Sequence, residues 1–226
     1  MRWSRVATLA AVAAAGAGVA YVRVLQPWHE RWGASDAELG LPLPGDDTVV
    51  EPAGQITRAI TIDAPPEAVW PWIVQLGADR GGFYSYDTLE NLFGLQVHSA
   101  DRIVDEWQDL ALGDLVTAIR SGAGGWLVAE IRPCEALVLQ VANVAENRPV
   151  RRDDPGGWEF SWIFALRPDG VGRTRLLVRE RVAFGAPLMR AAMAPVGLVS
   201  FVMTRKMLLG IKERAEREQR NASPTL

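Results

Sequence analysis

The junction between a strand pattern and a helix start, near residue 65, constrains the fold of this chain more than any other feature. The isoleucines within residues 56–62 alternate with polar or small residues, which is typical of a half-buried strand. Pro65 and Pro66 suit the first turn of a helix, where a backbone N–H has no partner, and Glu67 favours the positive end of the helix dipole. The predicted helix then carries apolar residues at helical spacing: Val69, Trp72, Ile73 and Leu76.

A second pattern places aromatic side chains on one face of a later strand. Alternate residues of a strand point to opposite faces of the sheet, so one parity within 158–167 collects the aromatic residues. Such a face is either buried in a core or lines a binding cavity. The residues of this parity are Trp158, Phe160, Trp162, Phe164 and Leu166.

The following strand contains a carboxylate in an apolar row. Glu180 shares its parity with Leu176, Val178, Val182 and Phe184. A buried carboxylate is costly unless it is paired or hydrogen-bonded, which makes Glu180 a candidate site residue. The alternatives are a β-bulge that reverses its direction and a salt bridge to one of two basic residues. Those two residues are Arg120 and Arg132.

These three segments together resemble the START-like helix-grip superfamily, also called SRPBCC, and within it the polyketide cyclase/dehydrase-like branch. The resemblance covers about residues 55–217. It implies an α+β helix-grip fold, in which a curved antiparallel sheet wraps around a long C-terminal helix, expected at about 187–218. Because the superfamily includes lipid carriers, cyclases and proteins of unknown role, the fold does not select a ligand.

Composition excludes some classes of function. The net charge of −3 over 226 residues gives no basic face for nucleic acid. One cysteine, Cys134, excludes an internal disulfide, and with only His29 and His98 besides it the sequence predicts no metal site. We therefore predict no cofactor and no nucleic-acid partner, while the oligomeric state stays open.

The N-terminus contains an uncharged run at residues 6–22. About 20 apolar residues cross a bilayer, and snorkelling by Arg5 and Arg23 extends the run of 17 towards that length. We interpret it as a single-pass anchor, with the domain outside the cytoplasm because more positive charge precedes the run than follows it. A cleaved secretory signal and a buried core helix are the alternatives.

The residues that follow the predicted anchor look like a stalk. Glycines and prolines at 40–54 predict an extended, non-helical linker. Trp28 and Trp32 suit either a membrane interface or packing onto the domain. The predicted divisions are an anchor at 1–25, a stalk at 26–54, a helix-grip domain at 55–220 and a tail at 221–226.

Polar residues concentrate between Val97 and Gln108, a segment that the resemblance places near the mouth of the cavity. His98 could act in acid–base catalysis with Asp101 as its orienting partner, or the segment could be a structural loop. A short helix is predicted at 83–93. The candidate catalytic residues are Tyr84, Tyr86, His98 and Glu180.

The preferred function is binding of a hydrophobic small molecule of the lipid, polyketide or isoprenoid class. The sequence contains no nucleophile motif and no phosphate-binding glycine loop. A cyclase or dehydratase-like enzyme and a ligand-free interaction module are the alternatives. The predicted ligand-binding residues are Trp72, Tyr84, Tyr86, Trp126, Trp158, Phe160, Trp162, Phe164, Glu180 and Met193.

Overall fold

The computed structural model describes residues 16, 20–92, 94, 97–185 and 196–222. The strands are β1 (Gly54–Ile62), β2 (Leu115–Thr117), β3 (Gly125–Arg132), β4 (Ala136–Asn143), β5 (Arg148–Pro149), β6 (Trp158–Pro168) and β7 (Thr174–Phe184). The α-helices are α1 (Gln26–Glu30), α2 (Asp36–Leu39), α3 (Pro66–Val74), α4 (Asp87–Leu92) and α5 (Val196–Ala222). A π-helical turn, Tyr21–Leu25, precedes α1, and short 3₁₀ turns occupy Asp46–Thr48 and Asp105–Trp107.

The seven strands form one sheet in the order β1-β7-β6-β4-β3-β2, with β5 paired to β4. All neighbours are antiparallel. One face of this sheet packs against α3 and α5 in a single apolar cluster that includes Trp72, Phe164, Leu176 and Ile211. The α+β helix-grip arrangement, with a long C-terminal helix against an antiparallel sheet, is therefore confirmed.

The predicted strand-to-helix junction is present as expected. Strand β1 ends at Ile62, and α3 begins at Pro66 after an extended Pro65. The fixed φ of proline suits both positions, and no helical N–H bond is lost there. All four apolar residues of the predicted helix face are buried: Val69, Trp72, Ile73 and Leu76.

Strands β6 and β7 pair without a break in register. Trp162 lies opposite Glu180, and Phe160 lies opposite Val182. The pairing continues from Trp158 with Phe184 to Pro168 with Thr174, so no bulge reverses the parity of Glu180. Its side chain consequently points to the same face as the aromatic row.

The segment at 26–54 is packed onto the domain, and its linker part at 40–54, expected to be extended and non-helical, contains one 3₁₀ turn, Asp46–Thr48. Helix α1 lies beside α5, with Trp28 5.2 Å from Phe201, whereas Ala34, Leu41 and Leu43 pack against the opposite face of the sheet. Buried Arg179 of β7 donates to the backbone carbonyls of Glu38, Leu39 and Leu41 and to the carboxylate of Asp46. The linker composition did not reveal this because the partner side chains lie far away in the sequence. The four-part division of the chain itself stays a prediction.

The prediction of a single-pass membrane protein is contradicted. Among the described residues, no helix has both the length and the apolar character required to cross a bilayer. Most of the proposed anchor at 6–22 lies outside those residues, which include Gly16 and 20–22 of it. The chain that follows is docked on the domain: the Trp28 and Trp32 rings lie 5.2 and 6.5 Å from the Phe201 ring of α5.

Two helix boundaries also differ from expectation. Helix α4 begins at Asp87, because the preceding turn places Tyr84 at a φ of 55°, which is incompatible with a right-handed helix. Helix α5 is described from Val196 onwards, so the expected start near residue 187 and the candidate Met193 lie outside the described residues.

Candidate functional site

A cavity of about 640 Å³ lies between the aromatic face of the sheet and α5. Cavities of this size accommodate small organic ligands. Strands β1, β3, β6 and β7 contribute to its lining, as do α1 and α5. The cavity therefore opens where the helix-grip arrangement leaves the inner sheet face incompletely covered.

Aromatic side chains form one apolar wall of this cavity. Trp126 of β3 and Trp162 of β6 lie 5.2 Å apart, and Phe83 lies 6.0 Å from Trp126. Trp158 and Phe160 continue the row along β6, and their ring centroids lie 5.6 Å apart. These distances are typical of mutually packed rings, so the wall is preorganised. Among the residues that the structure describes, the aromatic ones in the lining are Phe83, Trp126, Trp158, Phe160, Trp162 and Phe184.

Polar groups concentrate at Glu180. One carboxylate oxygen accepts from Arg58 Nη1 at 2.8 Å, Ser200 Oγ at 2.9 Å and Thr204 Oγ1 at 3.2 Å. The other oxygen accepts from Ser200 Oγ at 2.8 Å. Glu180, Ser200 and Thr204 line the cavity, and with Arg58 they form what we call the polar cluster. The salt bridge is therefore to Arg58, and not to Arg120 or Arg132.

Arg58 connects the polar cluster to the N-terminal helix. Its Nε donates to the carbonyl oxygen of His29 at 3.0 Å, and its guanidinium lies over the Phe201 ring at 5.6 Å. Burial lowers the pKa of Arg58, whereas nearby Glu180 and Glu30 raise it. Burial likewise lowers the pKa of His29. Arg58 thus supports Glu180 from behind while fixing the position of α1.

Several predicted ligand-binding residues belong to the core or lie elsewhere. Trp72 and Phe164 are fully buried within the apolar cluster and do not line the cavity. Tyr84 is also buried, with its ring 5.8 Å from Trp72, and burial raises the pKa of its phenol. Trp126, Trp158, Phe160, Trp162 and Glu180 do line the cavity. Ligand binding by these residues stays a prediction.

The remaining acid–base candidates line a second, more polar cavity of about 370 Å³, together with Tyr84. His98 Nδ1 lies 3.6 Å from Asp87, which also accepts from Ser99. Asp101, expected to orient His98, instead pairs with Arg214 at 3.0 Å. The structure therefore separates Tyr86 and His98 from Glu180 and from the aromatic cavity.

Within the described parts of the chain, no group of three or more His, Cys, Asp or Glu residues is arranged to hold a metal ion.

The sequence interpretation missed Arg58, Ser200 and Thr204, although each left a signal. Arg58 shares its parity in β1 with Ile56, Ile60 and Ile62. The apolar row of β1 therefore contains a positive charge, just as the apolar row of its neighbour β7 contains the negative charge of Glu180. Ser200 and Thr204 are four residues apart on α5, a spacing that places both hydroxyls on one helix face. A search for charges in apolar rows would have marked Arg58 as a second candidate beside Glu180, while their pairing depends on the register of β1 with β7.

No protein-family model and no curated protein matches this sequence. Among solved structures, the protein MLL2253 from Mesorhizobium loti has 15% sequence identity to this chain and a TM-score of 0.41. The alignment covers 73% of this chain and 98% of MLL2253. The polyketide-cyclase-like protein Cgl2372 from Corynebacterium glutamicum has 16% identity and a TM-score of 0.36, covering 76% and 97%. CalU16 from Micromonospora echinospora has 16% identity and a TM-score of 0.33, covering 72% and 84%. Similarity at this level carries no inference about ligand or activity.

Proposed function

We propose that this chain binds a hydrophobic small molecule in the aromatic cavity. The observation that supports this most directly is a cavity of about 640 Å³ whose apolar wall faces a carboxylate with ordered hydrogen-bond donors. Apolar pockets with a few convergent polar groups are the usual form of small-molecule sites. The ligand's apolar body would contact the aromatic row, and its polar end would reach Glu180.

The placement of the titratable groups favours binding over catalysis. Glu180 already accepts hydrogen bonds from a guanidinium and two hydroxyl groups. The other acid–base candidates line the second cavity, so a ligand on the aromatic wall would not meet them together with Glu180. General acid–base catalysis requires such groups within hydrogen-bond reach of the reacting atoms.

Binding is tested by titrating the purified protein with an apolar fluorophore and comparing three variants. Trp162→Ala removes the centre of the aromatic wall and should weaken binding by about tenfold or more. Val182→Trp fills part of the cavity from β7 without removing core packing, and should also weaken binding. Arg151→Ala, on an exposed surface ion pair, is the control that should bind as the parent does.

Mass spectrometry of molecules that copurify with the parent would identify the natural ligand class. Thermal unfolding of each variant shows whether a loss of binding reflects a loss of folding. If the folded parent and the control bind no apolar probe, the proposal is wrong. The aromatic face would then belong to an interaction module without a ligand.

A further inference from the structure

The polar end of the aromatic cavity contains more negative than positive charge. Two carboxylates, Glu30 of α1 and Glu180 of β7, belong to the lining. The described lining residues include no lysine, arginine or histidine. Gln26 donates to Glu30 at 2.8 Å, and Arg58, whose pKa both carboxylates raise, is a single cation shared between Glu30 and Glu180.

Arg58 is the cation closest to these carboxylates in the described contacts, and it lies behind them. It binds Glu180 directly and reaches the carbonyl of His29, the residue preceding Glu30. Its side chain has no exposed area, whereas 11% of the Glu180 side chain is exposed. An anionic ligand therefore cannot contact the guanidinium, but a cation can contact the carboxylates.

The aromatic wall also favours a positively charged ligand. The faces of tryptophan and phenylalanine rings carry negative electrostatic potential and attract cations, most strongly when the cation is desolvated. Trp158, Phe160 and Trp162 present a row of such rings in the same cavity as Glu30 and Glu180. Aromatic faces combined with carboxylates are the chemistry that recognises an ammonium group.

We infer that the cavity selects a cationic amphiphile, a molecule with an apolar body and an amine or ammonium end. This inference rests on the proposed binding function and specifies its ligand class. The ammonium group would lie between Glu30 and Glu180, and the apolar body would extend along the tryptophan row. A fatty acid would place its carboxylate against two like charges and should be rejected.

The test uses three probes of equal chain length, each below its critical micelle concentration. Dodecylamine, dodecanol and dodecanoate are titrated into the full chain while intrinsic tryptophan fluorescence is recorded. We expect dodecylamine to bind about tenfold more tightly than dodecanol, with dodecanoate weakest, because a charge-assisted contact adds to the same apolar burial. Glu30→Gln should reduce the preference for the amine and leave dodecanol binding unchanged, whereas Glu106→Gln, on the exposed surface outside the cavity, should change neither.

The outcomes separate this inference from the proposed function. Equal or tighter binding of dodecanoate, or an amine preference that survives Glu30→Gln, would overturn the assignment of a cationic ligand while binding itself stands. Binding of none of the three probes by folded protein would refute the cavity as an apolar binding site. Circular dichroism of each variant establishes that it is folded.

Discussion

At the scale of single residues, the molecule is distinguished by an ion pair inside an otherwise apolar layer. Arg58 and Glu180 each occupy an apolar row of adjacent strands and meet at 2.8 Å. Removing one partner of a buried pair leaves the other charge without compensation, at a cost of about 3–5 kcal/mol. Because the Arg58 side chain is fully buried, substitutions of Glu180 that leave Arg58 unpaired should destabilise the protein more than substitutions of Arg58.

We therefore expect Glu180→Gln to lower the free energy of unfolding by about 3 kcal/mol, even though Glu180 also faces the cavity. Urea unfolding followed by circular dichroism measures this change. Glu159→Gln is the matched control, since Glu159 pairs with Arg152 on a partly exposed surface, where such pairs contribute about 0–1 kcal/mol. The double variant Arg58→Met with Glu180→Leu should recover much of the loss. A Glu180→Gln protein as stable as the parent would show that the pair is not needed for folding.

At the scale of secondary-structure elements, the close approach of α5 to the Tyr84 turn determines how the helix is seated. A side chain at Gly210 would place its Cβ 2.8 Å from the Cβ of Tyr84. Tyr84 cannot move away easily, because its ring is buried against Trp72 and lies under the guanidinium of Arg214 at 4.9 Å. Glycine at this position thus permits a helix–turn contact that other residues would block.

Two alanine substitutions on α5 should consequently have opposite effects. Gly210→Ala gains about 1 kcal/mol in helix propensity but suffers overpacking that costs about 1–3 kcal/mol, so it should destabilise the protein. Gly197→Ala adds a methyl group that meets no atom nearer than His29 Cε1 at 4.0 Å, so it should be neutral or stabilising. Thermal unfolding of both variants checks the sign. Equal effects at the two positions would refute the packing explanation.

At the scale of the whole molecule, the described chain has three layers: the part of the N-terminal segment after α1, the sheet, and the helices α3 and α5. Arginines of β7 bind the first layer to the second. Arg175 forms two hydrogen bonds with the Glu38 carboxylate, at 2.7 and 2.9 Å, and Arg179 binds three carbonyls of the same segment. Because α1 also lines the cavity, docking of this segment completes the candidate site.

The Glu38–Arg175 pair should make this docking sensitive to acid. Hydrogen bonding from Arg175 is the main reason that the pKa of Glu38 falls from 4.5 to about 2. When folding lowers the pKa of a carboxyl group, its ionised form stabilises the folded protein at every pH above the pKa of the unfolded state. This stabilisation is lost as the pH falls from the unfolded-state pKa through the folded-state pKa. Glu38→Gln should therefore lower the free energy of unfolding by about 1–2 kcal/mol near neutral pH, with the difference vanishing towards pH ~2.

Urea unfolding of parent and variant across that pH range measures the difference. Glu106→Gln, at an exposed position outside the pair, should follow the parent at every pH. A difference between Glu38→Gln and the parent that is constant with pH would contradict the linkage to Glu38 ionisation.

Local periodicity was sufficient to predict the strand before Pro65, the helix after it, the aromatic row of β6 and the inward direction of Glu180. These features depend on residues two to four positions apart, whose spacing sets which face each side chain occupies. The ion pair was not predicted, because Arg58 and Glu180 are 122 positions apart and meet only through the register of β1 with β7. The same physical reason hid the docking of 26–54 and the separation of His98 from the aromatic cavity. Distant contacts depend on strand register and packing, and only the folded chain decides them.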